Sequence, residues 1–136
     1  MPKMVVSPKI RGFICTNAHP EGCATNVRGQ IEAARAAGPG AGVGNVLVIG
    51  CSTGYGLGSL ISAVWGWGGK AVGVCFERAS AGKKTASAGW YNAAELLHRA
   101  RSDRKQVETL NGDAFSHEMK ERVVDALHAG VGPVDL

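Results

Sequence analysis

The chain predicts an α/β protein, an open parallel sheet with helices on both faces, and three observations carry that expectation. Short apolar runs, VLVI at 46–49 and AVGVCF at 71–76, read as strands. Each is followed by a turn and then by apolar residues at helical spacing, the alternation that parallel strands need because they can be joined only by crossovers. Finally, 136 residues with 45% hydrophobic and 19% charged content leave room for one domain with a buried core, and lack the charge-rich profile of a disordered chain.

Residues 1–24, broken by Pro8, Gly12, Pro20 and Gly22, read as an extended N-terminal arm laid over a domain that occupies 25–136. From Thr25 to Ala37 the pattern turns helical: Thr25 or Asn26 can cap, Val27, Ile31 and Ala34 share a face, and Gly38-Pro39-Gly40 ends the segment. After a glycine-rich linker at 40–44, Val46 to Ile49 form a continuous apolar run, the pattern of a strand buried on both faces. Leu57, Leu60, Ile61 and Val64 give the next helix, which ends in Trp65-Gly66-Trp67-Gly68-Gly69. The second strand, 71–76, runs into Glu77-Arg78 and a polar stretch to Ala88. Trp90, Ala93, Ala94 and Leu97 predict the apolar face of a third helix, and 106–110 a weaker third strand ending at Asn111-Gly112-Asp113. Ser116 can cap a last helix that carries Met119, Val123, Val124 and Leu127 on one face, with Glu118 near its positive end. Val134-Asp135-Leu136 then starts a fourth strand, expected beside the first, and the domain reads as truncated there. A sheet lacking that strand would expose backbone and apolar faces, so marginal stability or self-association is expected.

Chemistry concentrates in Gly50-Cys51-Ser52-Thr53-Gly54-Tyr55-Gly56, a glycine loop between a strand and a helix. This context suits a dinucleotide: the pyrophosphate approaches the backbone more closely than a β-carbon permits, and the helix N-terminus offers unpaired N–H groups. Ser52 and Thr53 add hydroxyl donors. Glu77 lies 21 positions beyond Gly56, close to the separation of about 20 at which an acid meets the adenosine ribose 2′-hydroxyl. A carboxylate there repels a 2′-phosphate, so the cofactor expected is NADH (NAD when oxidised) and not NADPH; Arg78 is the neighbour that complicates this. Asp113 can accept from an adenine amino group with Ala114 beside the ring, or can simply cap the following turn. With the glycine loop, this makes the predicted fold Rossmann-like.

Fifteen Lys and Arg against eleven Asp and Glu give a scattered +4, which makes no case for nucleic acid. Cys15, Cys23, Cys51 and Cys75 have irregular spacings and read as reduced thiols. Cys15, His19 and Cys23 recur every four positions, but Pro20 and Gly22 are expected to break any helix there and a tight ligand pair is missing, so no metal site is predicted. His98, His117 and His128 are expected to face solvent, and Trp65, Trp67 and Trp90 to pack in the core and at helix ends. No stretch approaches the roughly 20 apolar residues of a membrane span, so no stable membrane insertion and a cytoplasmic location are expected.

Six blocks, KIRGFIC at 9–15, HPEGC at 19–23, VLVIGCSTGYG at 46–56, GVCFE at 73–77, AGWYN at 88–92 and NGDAFS at 111–116, together resemble the FabV-type enoyl-acyl-carrier-protein reductases and trans-2-enoyl-CoA reductases. The resemblance implies NADH-dependent reduction of the 2,3 double bond of an enoyl thioester, carried on the acyl carrier protein or on CoA. It places Gly50 to Tyr55 in the phosphate-binding loop, Phe76 and Glu77 at the adenosine ribose, and Asp113 and Ala114 at the adenine. Cys51 stands where the family usually has alanine, and KKTASA at 83–88 lacks a proline common there. The resemblance covers the N-terminal part of a longer enzyme. Nine positions after Tyr55 and Tyr91 stand Val64 and Ala100, and four positions after them Ser59 and Glu95, so no catalytic tyrosine–lysine pair is assigned within this chain and none of its residues is catalytic. Negligible reductase activity is therefore expected of the chain alone.

Two other functions remain compatible with the pattern. An S-adenosylmethionine-dependent methyltransferase also places a glycine loop after its first strand and an acid after its second, although the serine and threonine within this loop and its G-x-x-x-G-x-G spacing favour a dinucleotide. A non-catalytic dinucleotide-binding module would equally lack a tyrosine–lysine pair. Oligomeric state is not legible in the sequence.

Overall fold

The computed structural model describes residues 5–40 and 42–136; residues 1–4 of the expected arm and Ala41 of the glycine-rich linker lie outside the described part. The arm is not featureless. Ile10–Arg11 (β1) and Ile14–Cys15 (β2) pair as a small antiparallel hairpin. Helix α1 then spans Pro20–Ala36 and begins five residues before Thr25. Its start was missed because Pro20 and Gly22 read as breakers. Proline at the first helical position sacrifices an N–H that has no intrahelical partner anyway, and His19 caps the helix by accepting from the Gly22 N–H through Nδ1 at 3.1 Å.

Three parallel strands, β3 (Asn45–Ile49), β4 (Lys70–Cys75) and β5 (Val107–Asn111), pair in the spatial order β3-β4-β5. Between them run α2 (Gly54–Ile61), extended by a wide π-type turn over Ser62–Gly66, and α3 (Ala88–Ser102). After β5 comes α4 (His117–Ala126), with Ser116 as its cap, accepting from the Met119 N–H at 3.1 Å as expected, and a second wide turn over Leu127–Val131. Strand alternation divides the core into two layers. Ala71 and Cys75 face Val27 and Ile31 of α1, Leu57 and Leu60 of α2, and Leu96 of α3. On the other side, Val72, Val74 and Leu110 meet Met119, Ala126 and Val131. Helices therefore cover both faces of an open parallel sheet.

Burial corrects three expectations. The strand buried on both faces is β4, the central one; β3 ends at Ile49, which is 58% exposed, and among the described residues it is residues 135–136 that bond to its outer edge. There the Asp135 N–H donates to Asn45 O at 2.8 Å and the Leu47 N–H to Leu136 O at 2.9 Å, in the place expected for the fourth strand, but these residues form no regular strand and the sheet has three. Helix α3 buries Asn92, Leu96 and Ala100, not the face of Trp90, Ala93, Ala94 and Leu97, which instead borders a shallow groove beside β5. On α4, Val124 is exposed. His98, His117 and His128 are exposed and all four cysteines are free.

Helices α1 and α3 are joined by ion pairs, Arg28–Glu95 at 3.3 Å and Arg35–Asp103 at 2.5 Å. Asp103 also accepts from the indole N–H of buried Trp65 at 2.8 Å. That hydrogen bond first, then the Arg35 and Arg99 charges, holds the Asp103 carboxyl below the usual carboxylate range. Asp103→Ala leaves the indole N–H without its acceptor and should lower stability by about 1–3 kcal/mol, read from urea unfolding. The ionic part of the contribution is complete above pH about 4 and is lost as pH falls through the lowered native value. Asp103→Asn should therefore flatten this portion of the acid dependence while keeping an acceptor for Trp65.

Candidate cofactor-binding site

The carboxyl ends of β3, β4 and β5 bring together the three segments singled out in the sequence. Leaving β3, the chain turns at Gly50, and the N–H groups of Gly50 and Cys51 both donate to Val74 O of β4, at 2.8 and 3.1 Å. Gly50 has φ +84°, in the left-handed region. A β-carbon at Gly56 would lie 2.0 Å from Gly50 O, so helix and strand end approach as only glycine allows. Thr53 is the N-cap of α2, with an extended backbone and no side-chain capping bond, so the first-turn N–H groups are left open beside exposed Thr53, Gly54 and Tyr55.

Two loop residues contribute differently from the expectation. Ser52 is buried, and its hydroxyl donates to Glu77 Oε1 at 2.5 Å instead of facing a phosphate. Cys51 is fully buried against Gly73 and Leu60, so only its backbone borders the loop. The neighbouring Cys75 sulfur, together with burial, pushes the Cys51 thiol far above its ordinary value. It stays protonated and places no charge beneath the open helix end.

Glu77 is clamped on several sides. Asn111, the last residue of β5, accepts from the Glu77 N–H at 2.7 Å and donates to Glu77 O at 3.0 Å. On the carboxylate side, a β-carbon at Gly89 would lie 2.0 Å from Glu77 Oε1 and 2.7 Å from Ser52 Oγ. Asn92 in turn donates to Ser52 O at 2.8 Å. The acid, the loop and the first turn of α3 thus form one unit, with Glu77 Oε1 committed to Ser52. Asn111, Gly89 and Asn92 were not recognised as site-building residues from sequence; the available signal was an asparagine at a buried phase of an otherwise apolar helix face.

Phe76 and Tyr55 are 80% and 98% exposed and flank the acid and the loop. Asp113 is exposed, but its Oδ1 accepts from the Phe115 N–H at 2.9 Å and its carbonyl from the Ser116 N–H and hydroxyl, so it also works as the turn residue before α4. Ala114 packs partly against the α4-side core. Of the two tyrosines, Tyr91 uses its hydroxyl to accept from the Ala86 N–H.

A family model described as the NAD(P)H binding domain of trans-2-enoyl-CoA reductase matches residues 5–82, more than half of the chain. The chain belongs to the trans-2-enoyl-CoA reductase family. The model of that family's catalytic region matches residues 84–136. The sheet crosses this division, since β5 pairs with β4. An enoyl-[acyl-carrier-protein] reductase [NADH] of Pseudoalteromonas atlantica is 53% identical over 134 residues, covering 98% of this chain and 34% of the relative. A trans-2-enoyl-CoA reductase [NADH] of Clostridium perfringens is 49% identical over 133 residues, with the same coverage. Among solved structures, the trans-2-enoyl-CoA reductase of Clostridium acetobutulicum in complex with NADH superposes with a TM-score of 0.91 at 30% identity, over 97% of this chain and 33% of that one. The Treponema denticola enzyme in complex with NAD gives 0.86 at 39% identity, over 93% of this chain and 33% of that one. The chain spans about a third of the length of these reductases.

Gly56→Ala forces a methyl group onto a backbone carbonyl and should destabilise the protein by about 1–3 kcal/mol, as an overpacked contact does; an unchanged melting temperature would contradict the close approach. In native protein at pH 8, a disulfide reagent should modify exposed Cys15 quickly and leave Cys51 unmodified until denaturant is added, because the thiolate is the reacting species.

Proposed function

We propose that this chain binds the adenosine and pyrophosphate portion of NADH as the cofactor-holding part of an enoyl-thioester reductase. The observation that supports this most is the left-handed glycine turn opening into an uncapped helix, with a clamped acid at the end of the adjacent strand. In this reading, the loop from Gly50 to Tyr55 takes the pyrophosphate through its backbone N–H groups beyond Cys51, those of Gly50 and Cys51 being bonded to Val74 O, and the open space over Gly54 allows close approach. Glu77 accepts from the ribose 2′-hydroxyl through Oε2, the oxygen that Ser52 does not use, and Phe76 borders the same sugar. Asp113 and Ala114 border the adenine. The carboxylate charge opposes a 2′-phosphate, which makes NADH the preferred cofactor.

NADH, when bound, supplies the hydride for C3 of the enoyl thioester. What this chain adds is orientation: a fixed phosphate anchor and a fixed ribose contact set the distance of the rest of the cofactor from the sheet edge. No residue of the chain is assigned to protonation of the product. The substrate class, an enoyl group on acyl carrier protein or CoA, follows the relatives, which are named for both. The same reading includes an arm over residues 1–24, with helix from Pro20 onward, a partial NAD(H)-binding domain over 25–136, a cytoplasmic location and no nucleic-acid partner. No described helix is long and apolar enough to cross a membrane.

Fluorescence titration tests the proposal directly. NADH should bind saturably and more tightly than NADPH. Glu77→Gln should weaken NADH by roughly 10-fold, the size of one hydrogen bond to a charged group, and narrow the preference between the two cofactors. Absence of NADH binding by chain with a native circular-dichroism spectrum, or saturable binding of S-adenosylmethionine in its place, would sink this reading.

A further inference from the structure

A second charged feature lies away from the glycine loop. The hairpin β1–β2 and the turn after Glu77 enclose a cleft of ≈ 620 Å³, and five cationic side chains line it: Lys9 and Arg11 from the hairpin, Arg78, Lys83 and Lys84 from the turn. No acidic residue is part of its lining. Among the described residues, none of the five forms a salt bridge; the ion pairs fall on Arg28, Arg35 and Arg99. The nearby acids are engaged elsewhere, Glu77 with Ser52 and Glu21 with Arg28. A third of the chain's fifteen basic residues therefore converge on one hollow without a counter-charge.

Both walls are held in place. Asn17 accepts from the Lys9 N–H at 2.9 Å and donates to Ser7 O at 2.7 Å, which fixes the hairpin side. Across the cleft, Ala81 and Lys84 bond each other's backbones, at 3.2 and 2.9 Å. The walls are joined where the Ala18 N–H donates to Thr85 Oγ1 at 3.1 Å, and Thr85 itself lines the cleft. Like charges gathered on facing walls repel one another, and the repulsion is relieved by a multivalent anion. Arginine forks and lysine ammonium groups are both phosphate ligands, and five charges exceed what one carboxylate can neutralise.

We propose that this cleft is an anion site separate from the glycine loop, and that it takes a ligand bearing a diphosphate. The diphosphate can be free or part of a nucleotide such as coenzyme A, and the two sources are distinguishable. The assignment does not depend on where NADH binds, because no residue from 50–56 lines the cleft.

Calorimetric titration of the full chain with sodium pyrophosphate, and separately with coenzyme A, tests it. Both should bind saturably at low ionic strength and weaken steeply between roughly 50 and 200 mM salt. Lys83→Glu with Lys84→Glu, and independently Lys9→Glu with Arg11→Glu, should each weaken binding by about 10-fold or more while NADH titration and the thermal melt stay unchanged. If either reversal unfolds the chain, the corresponding glutamine pair gives the same reading. Tighter binding of coenzyme A than of pyrophosphate supports a nucleotide ligand, and equal binding supports the free diphosphate. Binding of neither probe, or binding that is insensitive to substitutions on either wall, overturns the proposal. So does sensitivity confined to NADPH, which would move the cationic side chains into the cofactor site.

Discussion

The hydrogen bond from Ser52 to Glu77 is the constraint around which the candidate site is arranged. It ties the end of β3 to the end of β4 through side chains, at a point where the strand ladder has already finished. For it to form, the first turn of α3 must carry a residue that has no side chain, because Gly89 lies against both partners. Asn92 then anchors the Ser52 backbone and Asn111 the Glu77 backbone, so one carboxylate orientation is set by residues from α3 and β5 together. A polar group held by this many neighbours is pre-organised: little further ordering is needed when a ligand hydroxyl meets its free oxygen.

Packing beneath the site is uneven. The central strand β4 is sealed by helices on both sides, and Cys51 and Cys75 sit in that interior close to the loop, the sulfur–sulfur contact pushing the Cys51 thiol up and the Cys75 thiol down. With Cys51 held protonated directly beneath it, the open helix end keeps its positive potential, facing the single acid that meets the ribose in the proposed reading. The N-terminal helix contributes at a distance: by packing on α3 through Val27, Ile31 and their ion-paired flanks, it fixes the helix that carries Gly89 and Asn92.

Features set by a few neighbouring residues were legible in the sequence. The glycine loop, the spacing from Gly56 to Glu77 and the Ser116 cap are all of this kind; the side of β3 taken by residues 135–136 followed instead from the strand order of the fold class. What could not be read depended on which of two plausible partners a group would choose. Helix α3 has apolar residues on two faces, and periodicity alone does not say that Leu96 and Ala100 win the core over Trp90 and Leu97. Ser52 has a hydroxyl suited to a phosphate, but a carboxylate brought close by the fold takes it first. Asp113 was compatible with both an adenine contact and a turn, and its Oδ1 already serves the turn. At α1, Pro20 and Gly22 read as breakers; histidine is not a usual cap, so the combination that starts the helix carries little sequence signal.

The spatial order β3-β4-β5 is also the order of synthesis. Each new strand docks on the one made just before it, across a single intervening helix, so every sheet pairing closes a loop of modest length and none must wait for a distant segment. A nascent chain can therefore add βα units vectorially, with β3 as the template and both edges of β4 paired as soon as β5 arrives. The exception is the return of Asp135 and Leu136 to β3, a closure that spans nearly the whole sheet-forming region. The free side of β3 is thus met by residues 135–136 only after β4 and β5 have been made, and until then its backbone is open to unintended pairing.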